Sequence, residues 1–128
     1  MILGLGSDIC NIDRIARSYE RFGKRFINRC YGENEQKEMM PITDPRQLAS
    51  ALAKRFAAKE AFTKALGTGF RNGICWAEIE ALHQENGKPY IKLSGSALSI
   101  SSSIGINKVW VALSDDYPFA QAVVIVEN

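Results

Sequence analysis

An α+β fold, with an antiparallel sheet packed on a long central helix, is the architecture the sequence predicts. Three observations carry it. A segment rich in alanine and phenylalanine, from about Arg46 to Leu66, repeats its apolar residues at helical spacing. Two hairpin signatures follow it, "ENGK" between one pair of apolar runs and "DDYP" between a second pair. A strand-like run, "MILGLGSDI", opens the chain. The 128 residues make a single domain, residues 1–128, long enough to bury roughly two thirds of the unfolded surface without staples.

The elements follow in order. "MILGLGSDI" reads as a buried strand ending in an acid. Asn11 or Asp13 caps a helix through about Phe22, with Ile12, Ile15 and Tyr19 on one face, and Gly23 ends it. "RFINRCY" fits either helix or strand. "ENEQKEMM" is a short helix, broken by "PITDP". Pro45 suits the first turn of the long helix, whose buried stripe is Leu48, Leu52, Phe56, Phe62 and Leu66. Gly67 is its natural C-cap. Trp76 to Leu82 and "PYIKL" pair as strands around Asn86-Gly87, the favoured hairpin dipeptide. Ser94 caps a helix that Gly105 ends, and "KVWVALS" and "FAQAVVIVE" close the chain as a second hairpin.

Composition narrows the function classes. The chain is 46% hydrophobic and 23% charged, as ordinary globular proteins are. A net charge of +2 is too small to argue for a nucleic-acid partner. The charge is uneven, however. Arg14, Arg17, Arg21, Lys24, Arg25 and Arg29 face only Glu20 in the same stretch, which suggests an acidic partner. Cys10, Cys30 and Cys75 are odd in number and widely spaced, against a disulfide framework or a thiolate zinc site and in keeping with a reducing cytoplasm. "MILGLG" lacks a basic flank and meets Asp8 at once, so it is neither a signal peptide nor a membrane span.

Two carboxylates stand in apolar settings. Asp8 closes an apolar strand and must be solvated, paired or metal-bound; its plain alternative is a helix cap for "NIDRIA". Glu60 lies between alanines and Phe62; its plain alternative is an i,i+4 pair with Lys64. "GTG", Gly67 to Gly69, is either a simple C-cap or a loop that lets a ligand approach the backbone. "GLG", Gly4 to Gly6, lacks the rest of a dinucleotide fingerprint, and the lone His83 beside a hairpin turn reads as solvated. Jointly the set is more telling. Two carboxylates can share one hard cation, Lys59 and Lys64 can hold phosphate oxygens, and a glycine loop can admit a nucleotide. Those are the parts of magnesium-assisted phosphoryl-group transfer.

At these residues the sequence resembles the bacterial holo-[acyl-carrier-protein] synthases, the small trimeric 4′-phosphopantetheinyl transferases. The resemblance runs nearly end to end. It rests on "GLGSDI" followed by Arg14, "RFAAKEAFTKALGTG", "GKPYIKLSGSA" and "ALSDDYPFAQAVVIVE". It implies the phosphopantetheinyl transferase fold and transfer of phosphopantetheine from coenzyme A to a serine of apo-acyl carrier protein. Adenosine 3′,5′-bisphosphate is released, in support of fatty acid biosynthesis. It implies Mg²⁺ held by Asp8 and Glu60, and Lys64 at the coenzyme phosphates. The Gly67, Thr68 and Gly69 loop would lie beside the nucleotide, and Arg14 would face the acidic carrier protein. Arg17, Arg21, Lys24 and Arg25 extend that face by proximity. It further implies a homotrimer with active sites at subunit clefts.

One position departs from the pattern. Where many members carry histidine after the penultimate strand's serine run, this chain has Asp115 in "ALSDD". An aspartate cannot donate to phosphate as an imidazolium can, so no phosphate role is carried onto it. Two rival readings belong to other classes. One is a non-catalytic basic-helix module for an acidic protein or RNA; the other is a magnesium-dependent nucleotide hydrolase that needs no acceptor.

Overall fold

The computed structural model describes residues 1–70 and 73–128. Its elements are β1 (Ile2–Asn11), α1 (Ile12–Phe22), α2 (Lys24–Cys30), α3 (Glu33–Met39), α4 (Pro45–Leu66), β2 (Ile79–His83), β3 (Pro89–Leu93), α5 (Gly95–Ser103), β4 (Lys108–Asp116) and β5 (Phe119–Glu127). β1, β5 and β4 form an antiparallel sheet in that order, and β2 and β3 form an antiparallel hairpin that lies against β4. The predicted α+β class holds, with α4 at the centre.

α4 is central because almost everything packs on it. Leu52, Ala53, Ala57, Ala58, Ala61 and Phe62 are all sealed from solvent. β5 meets it with alternate small residues, Ala120, Ala122, Val124 and Val126. β1 meets it still more closely. A Cβ on Gly4 would lie 2.0 Å from the Ala65 carbonyl oxygen, and one on Gly6 2.0 Å from that of Ala61. The "GLG" run is therefore a helix-to-strand contact that no side chain could share.

Several elements differ from expectation for local reasons. "RFINRCY" resolves as α2, a fifth helix, entered through Gly23 at φ +56°. β1 runs on to Asn11, so Asp8 lies inside the strand rather than at its end. Asn11 does cap α1, accepting from the Arg14 amide at 3.1 Å, whereas Asp13 turns to the Tyr117 hydroxyl. β2 starts only at Ile79, because Trp76–Glu78 form a 3₁₀ turn tied by the Cys75 amide to the Glu78 carboxylate. That same carboxylate takes the Ser96 amide at the head of α5, so the Ser94 hydroxyl does not cap it. Phe56 stacks on Trp76, with ring centroids 4.5 Å apart, rather than joining Phe62 on the sheet.

The expectation of a buried first strand is corrected. Only the α4-facing side of β1 is covered. Its other side, with Leu5 65% and Ile9 64% exposed, continues across the sheet through Ile125 to Trp110 and ends at Phe119. Successive strand residues point to opposite faces, and the described residues supply no second layer there.

Candidate functional site

The close contact of β1 with α4 builds the site. Strand alternation puts Asp8 on the same face as Gly4, Gly6 and Cys10, so the glycines that press the strand onto the helix also carry Asp8 to it. Lys64, in the last turn of α4, places its Nζ 2.9 Å from Asp8 Oδ1 and 3.1 Å from the Ser7 carbonyl oxygen. Among the described residues Lys64 pairs with Asp8 and not with Glu60, its i,i+4 neighbour. Asp8 is well covered at 18% side-chain exposure, and Lys64 reaches it from solvent at 54%.

Glu60 completes the pair of acids. Burial first, and the Asp8 carboxylate second, push its carboxyl above the ordinary range, with Lys64 and Arg14 opposing them. The two carboxylates thus repel across the same small space, and two cations already face it. Cys10 sits behind them. Its thiol is pushed up to about 11, by burial and then by Asp8, so it stays protonated and is no nucleophile at neutral pH.

The loop after α4 is open. Gly67 and Gly69 take φ +80° and +62°, a conformation that favours glycine, and a Cβ on either would meet nothing within 4 Å. Their amides turn back to the Thr63 carbonyl, and the Thr68 hydroxyl donates to the Gly69 carbonyl at 3.1 Å. The C-cap reading is thus correct, and among the described residues nothing crowds the Cβ positions of Gly67 and Gly69.

The basic residues of α1 and α2 form an exposed face. Arg14, Arg17, Arg21, Lys24, Arg25 and Arg29 all reach solvent. Arg25 and Arg29 border a cleft floored by Phe22, Phe26 and Trp76. Sequence reasoning found the charges but not this floor. Phe56 and Phe70 stack on Trp76 from α4 and the following loop, at 4.5 and 4.0 Å between centroids.

Two other expectations change, and Asp115, to which no role is given, has partners within the chain. Lys59 is not a phosphate ligand: it is wholly buried and paired with Glu35 at 2.6 Å, facing away from solvent. His83 is not free in solvent. Its amide donates to Glu38 at 2.9 Å, and its ring nitrogen lies 3.0 Å from the same carboxylate, which also accepts from Arg55. Asp115 accepts from the Ser50 hydroxyl at 3.0 Å and pairs with Lys54 at 3.3 Å, so its carboxylate is engaged within the chain. No group of three metal-ligating side chains occurs among the described residues. No helix among them is long and apolar enough to cross a membrane.

Comparison with known proteins bears on this geometry. The family model of the 4′-phosphopantetheinyl transferase superfamily matches residues 4–122. The holo-[acyl-carrier-protein] synthase of Erythrobacter litoralis is 44% identical, over 99% of this chain and 97% of that protein. The crystal structure of the synthase from Neisseria meningitidis superposes with a TM-score of 0.88 at 39% identity, covering 100% of both chains. That from Bacillus anthracis, in complex with CoA (3′,5′-ADP), gives 0.80 at 32% identity, over 100% of this chain and 98% of that one.

Proposed function

The chain belongs to the 4′-phosphopantetheinyl transferase superfamily, and from that membership we propose how its site works. It is an enzyme of the holo-[acyl-carrier-protein] synthase type. It transfers the 4′-phosphopantetheine group of coenzyme A to a serine of apo-acyl carrier protein, in support of fatty acid biosynthesis. The observation that carries the reading of the site is the Lys64 ammonium 2.9 Å from Asp8 where β1 crosses α4, with Glu60 near enough that the Asp8 carboxylate pushes its carboxyl up.

Asp8 and Glu60 are assigned to a Mg²⁺ ion. The donor set fits: two hard carboxylates, close enough to repel, in a partly covered spot that already draws the Lys64 ammonium to 2.9 Å. Mg²⁺ commonly takes one or two carboxylates and fills its shell with water and substrate phosphate oxygens, so a third protein ligand is not required. When bound, it would neutralise charge on the pyrophosphate and orient the phosphorus under attack.

The chain's own residues do the rest. Lys64 offers its ammonium to the phosphate oxygens as a second positive charge. The loop of Gly67, Thr68 and Gly69 leaves room for the nucleotide to lie along the backbone. Arg14, with Arg17, Arg21, Lys24 and Arg25, docks the acidic carrier protein and presents its serine. The serine oxygen bonds to phosphorus as the bond to the bisphosphate breaks, and adenosine 3′,5′-bisphosphate leaves. The serine proton passes to water at the carboxylate pair.

A homotrimer is part of the same reading. It is supported by the uncovered apolar sheet face of Leu5, Ile9, Ile125 and Trp110, since such a face on a soluble protein marks an interaction surface. The deciding experiment incubates the protein with coenzyme A, apo-acyl carrier protein and Mg²⁺, and weighs the carrier. The expected result is a phosphopantetheine mass gain that chelation of Mg²⁺ abolishes and that Asp8→Asn or Glu60→Gln nearly abolishes in folded protein. No gain with the intact chain, or nucleotide released without a modified carrier, would refute the reading.

A further inference from the structure

α4 poses a problem of orientation. From Ala51 to Thr63 every residue is buried or half-buried. Seven of the helix's buried residues are alanines: Ala49, Ala51, Ala53, Ala57, Ala58, Ala61 and Ala65. Alanine methyls are nearly interchangeable knobs, so the alanine faces do little to set the rotation of the helix. Yet Glu60 must point at Asp8 to serve the site. With an outer radius of about 6 Å, a helix turned by roughly 20° carries its side-chain ends about 2 Å.

Several contacts have direction, among them Arg55 with Glu38 and Lys64 with Asp8, each of which reaches solvent on one side; two are sealed beside Glu60. One is the seating of Gly4 and Gly6 against the carbonyls of Ala65 and Ala61. The other is Lys59, the residue before Glu60 and about 100° from it around the axis. Its ammonium donates to Glu35 Oε1 at 2.6 Å and to the Ile79 carbonyl, and lies 5.3 Å from the centre of the Tyr31 ring. Glu35 also accepts from the Gly32 amide at 3.0 Å and from the Ala81 amide at 3.0 Å. The pair therefore ties α4 to the start of α3 and to the backbone of β2. Both side chains have no exposure at all. Burial pushes the Glu35 carboxyl up and the Lys59 ammonium down, and their mutual attraction opposes both. A buried ion pair gives little net stability over an apolar pair of the same volume, so its presence calls for another role.

We propose that Lys59 and Glu35 form a positioning pair that sets the rotation of α4 and so holds Glu60 opposite Asp8. The proposal rests on the reading of Glu60 as a metal ligand. Neither residue touches substrate; both act through the helix.

The test uses the full chain and compares Lys59→Met, Glu35→Gln and the double variant by thermal melting, by direct Mn²⁺ binding without coenzyme, and by steady-state kinetics. Each single variant leaves a buried charge unpaired and should melt far below the parent. The double variant should recover most of the melting temperature. Its Mn²⁺ affinity and kcat should stay about 10- to 100-fold down, the loss typical of residues that orient a metal ligand. Its KM for carrier protein should stay within about twofold of the parent, because the docking face lies elsewhere. A double variant with parental melting, Mn²⁺ affinity and kcat would overturn the proposal. If the double variant does not fold, Lys59→Arg decides: its longer fork should shift the helix and weaken Mn²⁺ binding, and parental binding would overturn the role. Failure of both to fold would make the pair a requirement of the fold and equally overturn it. Asp8→Asn, measured alongside, separates the two readings. If it too leaves Mn²⁺ binding intact, the metal assignment fails; if it alone abolishes binding, only the positioning role falls.

Discussion

Gly6→Ala probes the seam on which the site is built. The added Cβ would sit 2.0 Å from the Ala61 carbonyl oxygen and 2.7 Å from the Ala65 amide nitrogen, both backbone atoms of α4. Real Cβ atoms essentially never come inside 3.0 Å, so β1 must retreat by about 1 Å. Overpacking of this kind costs about 1–3 kcal/mol, and here the neighbours cannot rotate away. For a chain of this length each kcal/mol lowers Tm by about 3–5 °C, so a fall of roughly 3–15 °C is expected. The same retreat moves Asp8, two residues on, away from Glu60. A misplacement of about 1 Å at a reacting centre can cost about 100-fold in rate, so kcat should fall by that order in protein that is still folded at assay temperature. Circular dichroism melts and the carrier-protein mass assay read the two effects separately. Gly69→Ala is the comparison: its Cβ meets nothing, and only the φ of +62° opposes it, at a cost of about 1–2 kcal/mol. A Gly6→Ala protein with parental Tm and parental kcat would refute the argument that the glycines exist to seat Asp8.

Other outcomes follow from the geometry. Lys64→Ala removes a pair whose ammonium is screened by solvent, worth about 0.2–1 kcal/mol, so melting should move little. Loss of a charged contact to phosphate, at about 1.5–3 kcal/mol, should lower kcat/KM for coenzyme A by about tenfold or more; unchanged kinetics would return Lys64 to a purely structural pairing with Asp8. Arg14→Glu should raise KM for carrier protein far more than KM for coenzyme A. The parent's affinity for carrier should weaken with salt, as the screening length falls below about 8 Å beyond physiological ionic strength; equal effects on both substrates would count against docking. Glu38 titrates below its ordinary value of 4.5: burial raises it, but hydrogen bonds from His83 and Arg55 outweigh that. A carboxylate with a depressed folded pKa adds stability above its unfolded pKa and loses it as pH falls through the folded one. The Tm gap between the parent and Glu38→Gln should thus be full above about pH 5 and shrink progressively as pH falls below about 4.5; a gap unchanged down to pH 3 would show that ionisation of this carboxylate adds nothing to the fold.

What the sequence reveals divides by distance along the chain. The helix, its Gly67 cap and the two hairpins are legible because the signals are local: apolar spacing, a glycine at positive φ, an Asn-Gly turn. Asp8 and Glu60 stand out because carboxylates are anomalous in apolar surroundings. Lys59 misleads for the opposite reason. It neighbours Glu60 and carries a charge, so it reads as exposed, yet its partner Glu35 is 24 residues away in a segment that looks like an ordinary solvated helix. Gly4 and Gly6 are unremarkable until Ala61 and Ala65 are brought against them, and nothing within "GLG" names those partners. His83 likewise looks free until Glu38 and Arg55 arrive from α3 and α4. Whether β1 is covered on one side or two is a question about neighbours, which alternation alone does not answer.

The two tryptophans fall on the two surfaces proposed for docking and for assembly, and that gives the protein two built-in optical reporters. Trp76, stacked between Phe56 and Phe70 at the floor of the basic cleft, should change its emission when a partner settles on α1 and α2. Trp110, its indole nitrogen donating to Glu127 at 2.7 Å and its ring beneath Lys108, looks out from the open face of the sheet and should respond to dilution of the proposed trimer instead. Replacing either one with phenylalanine leaves a single fluorophore, so the encounter with carrier protein and the association of subunits could each be followed in solution without any attached dye.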